Sequence, residues 1–452
     1  MKKQHQIFFG FLRFCIGSAK EIPNSLKEAD WEELYAIAQK QCLVGVLFDG
    51  IKKLPAEHVG MKKELLLQWM AESQMLEKAN VRLNDAAIHV SEWFRKKGFR
   101  TCILKGQGNA LLYPNPYSRT PGDIDIWVEG GDKRVISFVR SISPHEKACY
   151  HHIEFPSYKG VEVEVHYRPS FLLCFWHNRK LQKYYERVKE EQFSHRVMLK
   201  EQGEIAIPTV GFNLIFQLTH IFSHLMNEGI GLRQLLDYYY VLCDFYKVYQ
   251  ISSNPSVSLS KGSSTFSPSP SSSGSGDVTA PSRCSEPLRS KDGGPSKVSP
   301  NCAGWDRRDA IGDMTSATAS TSTDTSATAA RSSFAANSSA AIDRVQKELK
   351  ELGLWKFAGG IMYIMQEVFG MPASRLIVPP NEKYGRFVLN EVLEAGNFGR
   401  HDARNRFGRS KLGHNLQRVY RDIRLVKYFP AEAMSEPLFR TWHFFWRLKY
   451  KK

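Results

Sequence analysis

Residues 119–128 read Arg-Thr-Pro-Gly-Asp-Ile-Asp-Ile-Trp-Val, and residues 161–166 read Val-Glu-Val-Glu-Val-His. Both runs alternate between apolar and polar residues, the first from its first aspartate onward, so each predicts a β-strand. Residues two apart in a strand point to the same face of the sheet. Each strand therefore presents one acidic face, with Asp123 and Asp125 in the first and with Glu162, Glu164 and His166 in the second.

Short strands and helices alternate around these two segments. Residues 100–104 predict a further buried strand, and helices are predicted over residues 109–113 and 133–142. This alternation is typical of a small α/β unit, here assigned to residues 97–210. Elsewhere apolar residues recur at intervals of three and four, which predicts helices. The helical regions are residues 1–96, 211–250 and 341–452, with individual helices over 212–224, 232–249 and 341–369.

Residues 251–340 differ from the rest of the chain in composition. Of these 90 residues, 59 are Ser, Thr, Ala, Gly or Pro, and few of them can contribute to a hydrophobic core. Helices are predicted on both sides of the tract. We therefore expect it to be a disordered insertion in a helix-to-helix connection, where extra length costs little entropy.

We predict that limited proteolysis of the native protein cuts first within residues 251–340, because a segment without a packed core is open to proteases. Mass spectrometry of the earliest fragments would locate the cuts. First cleavage in the flanking helical regions, with this tract left intact, would contradict the prediction.

Charge and cysteine content restrict the classes of protein and partner. The formal net charge is +16, and from Gly399 to Lys452 there are fourteen basic and four acidic residues. A positive region of this kind favours a polyanionic partner such as nucleic acid, a nucleotide phosphate or an anionic membrane surface. None of the eight cysteines forms a C-x-x-C pair, so neither a zinc framework nor a disulfide scaffold is indicated. No membrane span is predicted, and we expect a cytoplasmic protein.

The acidic faces of the two strands are the first candidates for chemistry. If the strands are neighbours, three carboxylates converge, and their mutual repulsion requires cations. Magnesium suits both carboxylate and phosphate oxygens, and two such ions stabilise the attacking and leaving oxygens of a phosphoryl displacement. An Asp-x-Asp pair alone is equally typical of a solvated strand end. The upstream Lys105-Gly106 turn and the Glu-x-Glu-x-His strand favour chemistry.

Several motifs along the chain resemble those of one family. They are Leu104-Lys-Gly, Tyr113-Pro114, Arg119, Asp123-Ile-Asp-Ile, Glu164-Val-His-Tyr-Arg168, His220-Ile-Phe-Ser-His224, Gly229-Ile-Gly-Leu-Arg-Gln-Leu-Leu-Asp237 and Gly396-Asn-Phe-Gly399. In order and content they resemble the uncharacterised bacterial nucleotidyltransferase family of the DNA polymerase beta-like superfamily. The resemblance covers nearly the whole chain apart from residues 251–340.

The resemblance implies an α+β fold in which a small mixed-sheet nucleotidyltransferase core is flanked by helical regions. It also implies a site for Mg²⁺, and a two-metal site is expected. Asp123 and Asp125 would bind the metal, and Glu164 would supply the third carboxylate. The third carboxylate would activate the acceptor hydroxyl, either through the metal or as a general base.

Lys105, Gly106 and Arg119 are the candidate nucleotide-binding residues. Lysine offers a point charge to phosphate and arginine a planar fork, while a glycine lets backbone amides approach phosphate closely. The alternative for Lys105 and Arg119 is a salt bridge to the neighbouring aspartate pair.

Other polar residues are assigned to the substrate cleft or to packing. His166 either orients the third carboxylate, touches substrate or packs as an ordinary strand histidine. Arg233 is a candidate for contact with a phosphate or an acidic substrate, and Asp237 lies one helical turn further on. His220 and His224 have the spacing of zinc-binding helices, but no third ligand is evident. Hydrogen bonding or cleft lining is therefore favoured for them.

Taken together, the motifs predict a magnesium-dependent nucleotidyltransferase that moves a nucleoside monophosphate from an NTP to an acceptor: a small molecule, a protein or RNA. The alternative is a non-catalytic or regulatory module that binds nucleotide or nucleic acid through the basic C-terminal segment. That segment ends in Trp442-His-Phe-Phe-Trp-Arg-Leu-Lys-Tyr450, which suits nucleic acid or a membrane surface. Equally, it suits a terminal helix whose aromatic residues complete the core.

Overall fold

A computed structural model describes residues 2–199, 202–251, 327–404 and 411–450 of the chain. Residues 1–254 and 330–452 form one compact unit. The second unit, residues 255–329, lies almost entirely outside the described residues. The same holds for most of the tract predicted to be a disordered insertion.

A four-stranded mixed sheet lies within the segment predicted as the α/β unit. Its strands are β1 (Thr101–Ile103), β2 (Ile124–Val128), β3 (His152–Tyr158) and β4 (Val161–His166), in the spatial order β1-β2-β4-β3. The two central strands, β2 and β4, are parallel, and each outer strand is antiparallel to its neighbour. A separate hairpin is formed by β5 (Arg196–Leu199) and β6 (Gly203–Ala206).

Helices precede and follow the sheet. In the described residues they are α1 (Lys3–Ile16), α2 (Trp31–Lys40), α3 (Val44–Ile51), α4 (Lys63–Lys96), α5 (Gln107–Ala110), α6 (Gly131–Ile142), α7 (Phe175–Ser194), α8 (Val210–Asn227), α9 (Leu232–Ile251), α10 (Ala327–Glu351), α11 (Trp355–Glu367), α12 (Glu382–Ala395), α13 (Lys411–Val426) and α14 (Pro430–Lys449). This arrangement confirms the predicted α+β class, with a small mixed sheet and helical flanks.

The alternating sequences of β2 and β4 give the sheet two different faces. Apolar residues on one face pack against α4 and α6; they include Ile124, Ile126, Val163 and Val165 of the strands and Phe94 and Val139 of the helices. The intervening residues, Asp125 and Trp127 in β2, project from the opposite face. Trp127 packs there against aromatic rings of α7 and α8. The alternation of apolar and polar residues therefore places the apolar core on one face of the sheet and the polar motifs on the other.

Strand β3 was not predicted, because Pro156 interrupts its alternation. Proline lacks the amide hydrogen that a central strand needs, so it argues against a strand. The structure places β3 at the edge of the sheet, and the pairing with β4 shifts register between Phe155 and Tyr158. An edge position and a register shift are the two settings in which a strand tolerates proline.

The helices after the low-complexity tract begin and end differently from the prediction. Helix α10 starts at Ala327 and thus extends into the tract expected to be an insertion up to residue 340. Its first half is rich in alanine, the residue with the highest helix propensity. The single helix predicted over 341–369 is divided into α10 and α11 at Gly353, whose φ of 70° is accessible at low cost only to glycine.

Motifs from the two sides of the tract meet in space. A Cβ atom placed on Gly229 would lie 3.0 Å from the backbone nitrogen of Gly399, and one on Gly231 would lie 2.9 Å from the Cα of Asn397. Such close backbone approach leaves no room for a side chain. The Gly-Ile-Gly and Gly-Asn-Phe-Gly motifs therefore form one packed junction, although about 170 residues separate them in sequence.

Glu432 of α14 joins the C-terminal helix to the start of α7. Its carboxylate accepts hydrogen bonds from the backbone amides of Leu173 (2.7 Å) and Cys174 (2.8 Å) and from Nδ1 of His177 (2.9 Å). Glu432 is buried, so these amides have no alternative access to water. A negative charge near a helix N-terminus is also favourable to the helix dipole.

We predict that Glu432→Ala lowers the free energy of unfolding by about 1–3 kcal/mol, because two buried amides lose their acceptor. The measurement is the midpoint of thermal unfolding followed by circular dichroism. Glu57→Ala, at an exposed glutamate, is the matched control and should unfold at the wild-type temperature. Equal midpoints for the two variants would show that the carboxylate is dispensable for stability.

Candidate active site

The parallel pairing of β2 and β4 places two carboxylates side by side. Asp125 lies directly opposite Glu164 in the register of the two strands. His166 projects from the same side of β4, and its Nε2 atom lies 2.9 Å from Oδ1 of Asp125 and 3.3 Å from Oε2 of Glu164. The ligand atoms of Asp125, Glu164 and His166 all lie within 4.8 Å of one another. We refer to these three residues as the carboxylate cluster.

Lys105 approaches the cluster from the turn after β1. Its Nζ atom lies 3.0 Å from Oδ2 of Asp125, so the salt bridge weighed as the alternative for this lysine is present. The turn depends on Gly106, which has a φ of 61° and precedes the short helix α5. A Cβ atom at this position would still lie 3.8 Å from the nearest atom, the carbonyl oxygen of Asp123. Backbone conformation rather than crowding therefore requires the glycine.

Opposite charges hold the buried Asp125 and the half-buried Glu164 ionised. Burial would raise the pKa of Asp125, but Lys105 and the hydrogen bond from His166 hold that pKa below its ordinary value. Burial acts in the same direction on Glu164, where the hydrogen bond from His166 lowers the pKa to about 2. For His166 itself, burial disfavours the charged ring, yet hydrogen bonds to the two carboxylates raise its pKa to about 9. At neutral pH the carboxylates of Asp125 and Glu164 are thus paired with the imidazolium of His166 and with the ammonium of Lys105.

Asp123 lies one residue before the start of β2 and is half-buried. It is close enough to act electrostatically on the cluster, because its charge raises the pKa of Lys105 and opposes the lowering of the Glu164 pKa. Burial and Asp125 are the larger influences on Lys105. Asp123 therefore borders the carboxylate cluster, while its ligand atoms are not among those within 4.8 Å.

Two histidines at the start of the edge strand, His152 in β3 and His151 directly before it, complete this face, and sequence analysis did not single them out. Nδ1 of His152 lies 3.3 Å from Oε2 of Glu164, and the same nitrogen lies 3.0 Å from Nε2 of His151. Burial and the charge on His166 lower the pKa of His152 to about 4. The sequence signal that could have identified them is the adjacent pair His151-His152. No role was assigned to this pair because β3 was not predicted.

Arg119 has a different partner from the expected one. Its guanidinium donates to both carboxylate oxygens of Asp237, with Nε and Nη2 each 2.8 Å away. The hydroxyl of Tyr113 donates to Asp237 at 2.7 Å, and all three residues are buried. Arg119 therefore ties the loop before β2 to α9. Arg119 pairs with Asp237, and not with Asp123 or Asp125 as the alternative interpretation proposed.

A narrow cleft lies between Lys105 and the helices α8 and α9. Its lining includes Arg119, Arg233, His220 and His224, together with Phe398 from the junction described above. Arg233 lies 4.0 Å from Asp237, measured from Nη1 to Oδ2, and its guanidinium lies over the ring of Phe398. The rings of His220 and His224 stack at 4.4 Å. The structure thus places the two histidines in the cleft, and they belong to none of the candidate metal groups of the described residues.

Residues 27–247 match the model of a family described as uncharacterised nucleotidyltransferase. This segment, slightly less than half of the chain, is similar to the uncharacterised nucleotidyltransferase family. No match was found among curated proteins or among solved structures. The match includes the whole carboxylate cluster and the cleft residues of α8 and α9. It confirms the family inferred from the ordered motifs.

The carboxylate cluster is one of three groups in the described residues whose donor atoms lie close enough together to hold a metal ion. The oxygens of Asp125 and Glu164 are the ligands that a hard divalent cation prefers, and the donor set therefore fits magnesium. Imidazole nitrogens of His151, His152 and His166 form a second group within 4.8 Å. A third group comprises Cys174, His177 and Glu432, in which the carboxylate already accepts three hydrogen bonds.

The C-terminal helix adds aromatic residues to the core. Phe439 packs against Phe171, and Trp442 packs against Tyr150 and Phe175. One face of α14 thus completes the core, as the plainest interpretation of this segment proposed, while other large side chains of the helix, including Phe445, remain exposed. Among the described residues, no helix is both long and apolar enough to span a bilayer.

We predict that Asp237→Asn lowers the free energy of unfolding by about 3–5 kcal/mol, because it leaves the buried Arg119 without its counter-ion. Burial would raise the pKa of Asp237, but Arg119 holds it below the ordinary value. The pair therefore stabilises the protein fully above the unfolded-state pKa of about 3.9, and this contribution disappears as the pH falls through the folded-state pKa.

Thermal unfolding between pH 3 and pH 7 measures both effects. The midpoint difference between wild type and Asp237→Asn should be largest at pH 7 and should shrink toward pH 3. Asp343→Asn, at an exposed aspartate of α10, is the matched control. A pH-independent difference, or none, would refute the assigned pairing.

Proposed function

We propose that this protein is a magnesium-dependent nucleotidyltransferase that moves a nucleoside monophosphate from an NTP to an acceptor hydroxyl. The observation that carries the proposal is the carboxylate cluster: Asp125 and Glu164 in register on parallel strands, with His166 between them. The match of residues 27–247 to a nucleotidyltransferase family supports the same reaction class. The proposal assigns Asp123, Asp125 and Glu164 to metal binding and catalysis.

Each charged group has a defined task in this proposal. When bound, magnesium would neutralise phosphate charge and stabilise the attacking and leaving oxygens. The acceptor oxygen forms a bond to the α-phosphorus, the bond from that phosphorus to the bridging oxygen breaks, and pyrophosphate leaves with the electron pair. Glu164 takes the hydroxyl proton, and His166 orients that carboxylate.

Positive side chains of the cleft would receive the triphosphate. Lys105 already lies beside Asp125 and can exchange this carboxylate for a phosphate oxygen. Arg233 lines the cleft, and its 4.0 Å contact with Asp237 is long for an ion pair, so its guanidinium is available to an anionic ligand. Arg119 is assigned an indirect role in nucleotide binding. Its ion pair with Asp237 holds α9 in place, and α9 carries Arg233.

We predict that an Asp123→Asn, Asp125→Asn double variant lowers the rate of nucleotidyl transfer by about 100-fold or more. The reason is that magnesium loses two carboxylate ligands, so that the charge developing on the reacting phosphate is no longer stabilised. The assay incubates the full chain with magnesium, α-labelled NTPs and a panel of RNA, protein and small-molecule acceptors, and follows label transfer and pyrophosphate release. Glu164→Gln should show a comparable loss. Asp343→Asn should retain the wild-type rate.

Equal labelling by wild type and the double variant would refute the catalytic assignment. Absence of transfer, combined with salt-sensitive nucleic-acid binding that Asp123→Asn leaves unchanged, would instead favour the binding module considered from the sequence. Calorimetric titration with a nonhydrolysable NTP, with and without magnesium, separates the two outcomes, since only the enzyme requires metal-dependent NTP binding.

A further inference from the structure

An open groove of about 650 Å³ runs along the first turns of α7. One wall is formed by Trp176, Arg179 and Lys183 of α7, and the other by Tyr150, Arg168 and Trp442. The groove is separate from the narrow cleft between Lys105 and α8. None of its lining residues belongs to the carboxylate cluster.

Aromatic surface in this groove is exposed to an unusual degree. Trp176 is 74% exposed, more than any other large apolar side chain that the structure describes. Trp442 lies on the facing wall and is held in place by the rings of Tyr150 and Phe175. Exposed aromatic rings on a rigid support are platforms on which nucleobases stack, at a gain of about 1–3 kcal/mol per base.

Positive charge lies next to these rings. Arg179 and Lys183 follow Trp176 by three and seven residues, so all three lie on one face of α7 over about 10 Å of helix. Both basic side chains are exposed, and neither forms an ion pair with another described residue. Glu186, the carboxylate among the lining residues, is paired with Lys189. The charge of the groove therefore complements phosphate.

The facing wall is continuous in sequence with the carboxylate cluster. Arg168 follows His166 by two residues, and it is fixed by hydrogen bonds to the backbone oxygen of Tyr150 (2.7 Å) and to Asp132 (3.0 Å). Tyr150 precedes His151, whose ring contacts that of His166 at 5.3 Å. The groove thus begins beside the proposed site of nucleotidyl transfer.

We propose that this groove binds single-stranded nucleic acid by base stacking on Trp176 and Trp442 and by phosphate contact with Arg179 and Lys183. The bound strand presents a terminal hydroxyl to the carboxylate cluster as the acceptor, and this second part rests on the proposed function. Positive charge suits both nucleic acid and an anionic vesicle, and the shape of the surface favours nucleic acid, because the aromatic rings and cations line a groove and do not form a broad apolar surface.

The test measures binding of fluorescein-labelled oligoadenylate RNA and the matching DNA to the full chain by fluorescence anisotropy. Trp176→Ala should weaken binding about 10-fold. The double variant Arg179→Ala, Lys183→Ala should weaken binding and reduce the slope of log Kd against log salt by about 1.4, corresponding to two phosphate contacts. Phe445→Ala and the double variant Arg344→Ala, Lys347→Ala, all at exposed sites outside the groove, should bind as wild type does.

Wild-type affinity in the groove variants would overturn the inference, as would binding of phosphatidylglycerol vesicles without binding of either oligonucleotide. The Asp123→Asn, Asp125→Asn variant keeps this test independent of catalysis, because it should bind the oligonucleotides normally. If the wild type transfers nucleotide to a small-molecule acceptor but to no RNA, the proposed function stands and the acceptor assignment fails. Loss of transfer to RNA in Trp176→Ala, with transfer to a small-molecule acceptor preserved, would support the acceptor assignment.

Discussion

Two like charges held side by side on neighbouring strands are the constraint around which the domain is built. Asp125 and Glu164 face each other in the register of β2 and β4, and such a pair is stable only with positive partners. His166 supplies one charge from β4 itself, and Lys105 supplies the other from the turn after β1. Strand pairing and the turn after β1 thus place two positive partners beside these two carboxylates.

The sequence carried enough information for the centre of the site, because period two is a local property. Alternation in β2 and β4 predicted which residues share a face, and the structure brings Asp125, Glu164 and His166 together, while Asp123, which was expected to converge with the two carboxylates, borders the group. Contacts between distant segments of the chain could not be predicted in this way. The pairing of Arg119 with Asp237 could not be predicted from the residues around either one. The partners lie more than a hundred residues apart and meet only when α9 packs against the loop before β2.

The basic excess of the C-terminal region is partly neutralised within the fold. Arg404 pairs with Asp402 and Glu391, Arg424 approaches Glu391 at 3.4 Å, and Arg440 pairs with Glu436. Counting charges along the sequence therefore overstates the positive field available to a ligand. Helix α7, within the family segment, has five basic and three acidic residues, and its sequence alone does not indicate which of the charges are unpaired. Surface electrostatics depend on pairing, and pairing depends on the tertiary structure.

The core that surrounds α8 and α9 extends well beyond the family segment. Phe8 and Phe11 of α1 and Phe357 and Ile361 of α11 belong to the same buried cluster as Leu235 of α9. The boundaries of the family match at residues 27 and 247 therefore cut through one hydrophobic core. Expressed as a fragment, residues 27–247 would present wide apolar faces to water and would be prone to aggregation. Heterologous production and crystallisation trials should accordingly retain both flanks of the chain.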